Sequence, residues 1–161
     1  MALAAAAENG CDLNKAIEAV SSFNGLEHRM ETVRTVNGVK YINDSISTIP
    51  LAAINAVKTF NADTLIIGGM DRGINYDSLV EFLNKGIVEN IICLPDSGYR
   101  IADMLKTPSK VFKVKDMEEA VKKASEEAKH CCVLSPAAAS YGFYKNFEER
   151  GRHFKQLVAS L

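Results

Sequence analysis

Between residues 30 and 43 the apolar positions fall in two runs. Val33 and Val36 lie before Asn37-Gly38, and Val39, Tyr41 and Ile42 lie after it. Asn-Gly between β-favouring runs predicts a two-residue hairpin turn, because both turn positions need positive φ. From residue 50 onward short apolar runs alternate with amphipathic stretches. Thr64–Ile67, Asn90–Leu94, Val111–Val114 and Cys131–Leu134 predict strands. The stretches between and after them predict helices over about Pro50–Phe60, Tyr76–Asn84, Tyr99–Leu105, Met117–Lys129 and Tyr144–Ser160. Pro50 suits a first helical position after an N-cap at Thr48 or Ile49, and Asp116 with Glu119 has the spacing of a capping box. Upstream, residues 2–7 and 15–23 predict two short helices. They are broken at Asn9-Gly10 and Asn24-Gly25, with Asp12 as a cap. The pattern as a whole predicts an α/β, Rossmann-like fold: a mostly parallel sheet with helices on both faces and an N-terminal β-hairpin.

A length of 161 residues suits one domain with a sizeable core. A net charge of −1 gives no electrostatic case for nucleic acid or an anionic membrane surface. No apolar run is long enough to span a bilayer, and Met1–Ala7 lacks the basic region of a signal peptide. Of the four cysteines, Cys93, Cys131 and Cys132 sit in apolar runs and no pair forms C-x-x-C. They are expected to act as small hydrophobes in a reducing cytoplasm, with neither a disulfide nor a metal site. Lys122-Lys123 with Glu126-Glu127 is expected to form i,i+4 pairs on a solvated face. His130 and His153, with no ligand-spaced partner, are expected at the surface.

Ligands of open parallel sheets bind beyond the carboxyl ends of the strands. Three polar groups fall there: Asn43-Asp44-Ser45 with Thr48, Asp71-Arg72 after Gly68-Gly69, and Ser135 to Ser140. The small residues Ala137 to Ala139 let a ligand approach the backbone, or equally let a helix pack closely on the sheet. His28-Arg29 could meet a nucleotide base or phosphate, or form a solvated turn. The glycines do not make G-x-G-x-x-G, and there is no phosphate-binding G-x-x-x-x-G-K-[ST] loop. No nucleophile and base are suggested as a pair, so no catalytic residue is assigned. The residues alone thus point to an α/β domain with a small-anion crevice.

Four stretches in order resemble one family. They are Gly25-Leu26-Glu27-His28-Arg29, Val39 to Thr48 with its Asn43-Asp44-Ser45 core, Gly68-Gly69-Met70-Asp71-Arg72-Gly73, and Leu134 to Ser140 with Phe147-Glu148-Glu149-Arg150-Gly151. They resemble the C-terminal domain of the D-glutamate-adding Mur ligases of peptidoglycan synthesis, a part of cell-wall biogenesis that governs cell shape and division. The resemblance covers Gly25 to the C-terminus, so residues 25–161 would be the amino-acid-binding domain. Residues 1–24 look like the tail of the family's central ATPase domain.

The resemblance implies ATP-dependent amide formation. ATP would convert the carboxylate of UDP-N-acetylmuramoyl-L-alanine to an acyl phosphate, which the amine of D-glutamate attacks. Mg2+ and the phosphate loop would belong to the central domain and the UDP-sugar to an N-terminal one. This chain, inactive alone, would contact both as a lid. By motif, His28, Arg29, Asn43 and Asp44 would bind the nucleotide, with Asp44 on the ribose. Thr48 and Arg72 would hold one carboxylate of D-glutamate, and Ser140, Tyr141 and the Phe147 region the other. Ile46 and Arg72 stand where lysines occur in some members, and Tyr141 where leucine is frequent. Two other readings are a domain of another Mur-type or folylpolyglutamate-type amino-acid ligase, and a non-catalytic α/β binding module.

Overall fold

The computed structural model describes residues 2–23 and 25–161. The elements run α1 (Ala2–Glu8), α2 (Leu13–Ser22), β1 (Glu31–Val36), β2 (Val39–Asn43), α3 (Pro50–Phe60), β3 (Thr64–Gly69) and α4 (Asp77–Leu83). They continue with β4 (Asn90–Asp96), α5 (Ser97–Met104), β5 (Lys110–Lys113), α6 (Met117–Glu127), β6 (Cys131–Leu134) and α7 (Phe147–Ala159). The strands form one sheet in the order β1-β2-β6-β3-β4-β5. Only the β1–β2 pair is antiparallel. Its turn has φ 50° at Asn37 and 85° at Gly38, the left-handed pair that Asn-Gly supplies at low cost.

Period-2 alternation splits the strands between two cores. Leu65, Ile67, Ile91 and Cys93 face Ala53, Ile54 and Val57 of α3, Leu79 and Leu83 of α4, and Ile101 of α5. Ile66, Ile92, Leu94, Cys132 and Leu134 face Met117, Ala120 and Val121 of α6 and Phe154 and Val158 of α7. A third cluster closes Ile42, Cys131 and Val133 against Ala56. Helices therefore cover both faces, as the buried apolar runs require.

The chain leaves β3 through α4 on one face and β6 through α7 on the other. The neighbours β6 and β3 thus form a topological switch point, where an open sheet leaves a crevice at the carboxyl ends of its strands. At the opposite end, Asp63 accepts from the backbone N–H groups of Lys129, His130 and Cys131. Burial by itself would raise this carboxyl, but those N–H groups outweigh it and hold Asp63 below the ordinary range.

Some boundaries differ from the sequence expectation. Strand β4 runs on through Pro95 to Asp96, because β5 stops pairing at Cys93 and leaves no ladder bond for Pro95 to miss. The last helix starts at Phe147, not Tyr144. Asn146 caps it by accepting from Glu149 N–H at 2.8 Å, and Glu149 reaches back to Lys145 N–H. Asp116 and Glu119 form the same shifted box on α6, with Glu119 accepting from Lys115 N–H. Ile49 is the N-cap of α3 without a side-chain bond, Pro50 following it. Lys123 pairs with Glu126 at i,i+3 instead of the expected i,i+4, since residues three and four apart are both neighbours on a helix surface. His130 is exposed, whereas His153 is half-buried because Tyr144 Oη lies 2.9 Å from its Nδ1. The expected break at Asn24 lies outside the described residues.

Candidate functional site

Strand β2 delivers Asn43, Asp44 and Ser45 to the crevice, and all three are buried. Asn43 Nδ2 bonds His28 Nδ1 at 2.9 Å and donates to Glu31 at 3.0 Å, and Asn43 Oδ1 accepts from Ser45 N–H. Asp44 accepts from Met30 N–H at 3.1 Å on one carboxylate oxygen. On the other it accepts from Ser135 Oγ at 2.7 Å. Ser45 Oγ donates to the Phe147 carbonyl at 2.8 Å and accepts from Arg150 Nε at 3.0 Å. The motif thus welds β2 to the turn after β6 and to the start of α7.

The small-residue turn Pro136 to Ala139 is held by its carbonyls. Pro136 accepts from Gly68 N–H, Ala137 from Tyr76 Oη, Ala138 from Arg150 Nη2 and Ala139 from Met70 N–H. Ala137 sits at φ 54°, a strained value for a residue with a Cβ, and the bonds around it over-determine the turn. The alanines serve close packing here: a Cβ on Gly69 would lie 2.5 Å from the Ala139 carbonyl oxygen. Arg150, only 1% exposed, is the largest fully buried side chain. Burial pulls its guanidinium down to about 10, so it stays charged at neutral pH.

Around this framework lie the more open residues. Arg29, Arg72 and Tyr141 are exposed, Thr48 and Phe147 are half-buried, and Ser140 is buried. Arg72 rides on a loop held by its neighbour. Asp71 pairs with Arg100 Nε at 2.6 Å, Arg100 Nη2 also donates to the Ile74 carbonyl, and the guanidinium lies 4.8 Å over the Tyr76 ring. The Gly73 N–H, helped by Arg100, holds the Asp71 carboxyl below its ordinary value.

His28, at φ 64°, lies edge-on to Phe147 with ring centroids 6.1 Å apart. It packs against Gly151, where any Cβ would overlap its ring. Glu27, His28 and Glu31 form a cluster of metal-ligating types. Lys155 Nζ lies 3.0 Å from Glu27 and 2.5 Å from Glu31. Burial would raise Glu31, but Lys155 and the His28 N–H outweigh it and its carboxyl is lowered. With Lys155 already shared between its two carboxylates and a histidine among its donors, the cluster does not fit Mg2+, which wants a nearly all-oxygen shell.

Residues 28–137 match the family described as Mur ligase, glutamate ligase domain. The chain belongs to this family. It is 40% identical over 153 residues to the UDP-N-acetylmuramoylalanine–D-glutamate ligase of Ruminiclostridium cellulolyticum, covering 88% of this chain and 33% of that protein. The ligase of the same name from Symbiobacterium thermophilum is 40% identical over 166 residues, covering 99% of this chain and 36% of that protein. The chain spans about a third of the length of the curated relatives it matches. Among solved structures, UDP-N-acetylmuramate-alanine ligase MurC of Thermotoga maritima superposes with a TM-score of 0.69 at 21% identity, over 98% of this chain and 36% of that one. MurF ligase from the same organism, in complex with ADP, gives 0.65 at 17%, over 98% and 37%. These likenesses show the Mur ligase domain fold. Among the described residues no helix is long and apolar enough to cross a membrane.

Within this Mur ligase fold the three polar groups foreseen at the strand ends do share one end of the sheet. Asn43, Asp44 and Ser140 prove buried, while Arg29, Arg72 and Tyr141 face outward. Two residues went unassigned in the sequence. Arg150 shares the buried stripe of α7 with Gly151, Phe154 and Val158, and a cation inside an apolar stripe is a signal that periodicity can show. Arg100 gives no such signal, because its partners Asp71 and Ile74 lie on another loop.

Proposed function

We propose that this chain is the amino-acid-binding domain of an ATP-dependent ligase that joins D-glutamate to UDP-N-acetylmuramoyl-L-alanine in the cytoplasm, through an acyl phosphate. The observation that carries this is the 40% identity, over nearly the whole chain, to proteins named for that activity. Thr48 and Arg72 hold one carboxylate of D-glutamate. Ser140, Tyr141 and the Phe147 N–H, which has no intrahelical acceptor at the first position of α7, hold the other. Arg29 reaches the nucleotide, with buried His28 and Asn43 fixing the turn that carries it. Asp44 offers the ribose the lone pairs left beyond its bonds to Met30 and Ser135.

The ATP phosphates and Mg2+ belong to a central domain, since this chain has no phosphate loop and its acidic cluster is taken by Lys155. Residues 1–24 form the tail of that domain. Leu13, Ile17 and Val20 support this: they lie on one face of α2 and are about half exposed. Closing the domain over the nucleotide excludes water from the acyl phosphate and orients the attacking amine.

The test is ADP formation by the product of the complete reading frame, given UDP-N-acetylmuramoyl-L-alanine and one amino acid at a time. Turnover with D-glutamate alone is expected. Turnover with another amino acid instead assigns a sister ligase, and none with any amino acid leaves a binding module.

A further inference from the structure

The turn between β6 and α7 is loosely seated. Tyr141, Gly142 and Phe143 are exposed, and Gly142 bends the backbone at φ 88°. Ser140, Phe143 and Tyr144 border a cavity of about 220 Å³, so open space lies where packed side chains would otherwise fix the turn. Among residues 141–145 a single side chain makes a hydrogen bond to the rest of the fold. Tyr144 Oη lies 2.9 Å from His153 Nδ1 on α7, with ring centroids 5.8 Å apart. His153 Nε2 in turn lies 3.1 Å from Glu118 Oε1, in the first turn of α6. An ionised carboxylate only accepts, so Nε2 carries a hydrogen and, in the neutral ring, Nδ1 accepts from the Tyr144 O–H. Burial, helped by Glu118, pushes the Tyr144 phenol up to about 12, so this donor keeps its proton. Glu118 stands at a helix N-terminus, where a carboxylate is favoured.

We propose that the chain of contacts Tyr144–His153–Glu118 is a positioning device for the substrate. It holds the turn after Ser140 in the shape that lets Ser140 and Tyr141 meet a carboxylate. What the turn receives rests on the D-glutamate reading above, whereas the ordering of the turn does not. Without the Tyr144 O–H the turn takes several shapes, and substrate binding must then order it. The three side chains touch no reacting atom on that reading, so their loss weakens binding and leaves the chemical step unchanged.

Two measurements test this, on Tyr144→Phe and His153→Phe, which keep a ring and remove the polar contact. In the 161-residue chain, NMR relaxation should show greater mobility of the Tyr141, Gly142 and Phe143 amides, with Gly73 unchanged. In the product of the complete reading frame, each variant should raise KM for D-glutamate about fivefold, as loss of one hydrogen bond implies. KM for ATP and kcat should stay as in the wild type, and the double variant should be no worse than either single one. Unchanged mobility at residues 141–143 would overturn the proposal whatever reaction the enzyme performs. A mobile turn with unchanged KM, a loss shared by kcat and ATP, or additive losses in the double variant would overturn the positioning role. Wild-type turnover with another amino acid would overturn the D-glutamate reading alone, and KM for that amino acid then decides. A wild type idle with every amino acid would overturn both.

Discussion

Asp44 and Ser135, 91 residues apart in the chain, are joined by a 2.7 Å hydrogen bond buried between β2 and the turn after β6. The bond is charge-assisted, and the second Asp44 oxygen holds the Met30 N–H, so one carboxylate ties three segments together. Removing Ser135 Oγ leaves a carboxylate one donor short, and removing the carboxylate strands two donors. Ser135→Ala is expected to lose about 1–3 kcal/mol of stability and Asp44→Ala about 3 kcal/mol, with the double variant losing less than the sum. Urea unfolding of the four proteins measures this, and strictly additive losses would remove the coupling.

On the function proposed above, Arg72 binds substrate and Arg100 positions the loop that carries it. Arg72 is exposed on the loop that Arg100 holds through Asp71 and Ile74. On that reading, Arg72→Ala in the complete enzyme should raise KM for D-glutamate by about tenfold or more, since it would remove the proposed charge-assisted contact. Arg100→Ala should raise it less, by about threefold, and should also shorten the amide-exchange lifetime of Gly73, a readout that Arg72→Ala leaves alone. Equal kinetics with no change at Gly73 would refute the positioning role.

Asp63 sets an acid limit on stability. Its folded carboxyl lies below the unfolded value, so its contribution is fully present above an unfolded pKa of about 4. That contribution is lost as pH falls through the lower folded value. Glu31, held low against Lys155, loses stability in the same window. Urea midpoints measured from neutrality down to about pH 3 should fall steeply in the wild type and less steeply in Asp63→Asn, which should also be weaker at neutrality. Parallel curves would show that the three N–H bonds do not depress Asp63.

Thiol labelling should divide the cysteines by burial. Burial pushes the thiols of Cys93 to about 12 and Cys131 to about 11, with Cys132 also well raised, while Cys11 is exposed. Near neutral pH the native protein should release one rapid equivalent of a disulfide-exchange chromophore, lost in Cys11→Ser, and denaturant should release all four. Rapid reaction of a second thiol in the native state would mean that the sheet opens.

What the sequence settled by itself is local. Asn37-Gly38 fixed the hairpin because its two positive φ values are chosen by the residues themselves. Alternating apolar runs fixed strands and helices because a side chain's direction follows directly from the backbone period. The motifs Asn43-Asp44-Ser45, Gly68-Gly69 and Ser135 to Ser140 marked one end of the sheet for the same reason, since they end strands. Their fate was decided elsewhere. Tertiary structure put β6 between β2 and β3, turned Asp44 inward to Ser135, and gave Ser45 to Arg150 across 105 residues. It also made Ala137 to Ala139 a pinned support, their carbonyls taken by Tyr76, Arg150 and Met70. None of these pairings has a local energetic signature. Each forms because burial removes water from a polar group and the only remaining partner is one the fold has carried to it.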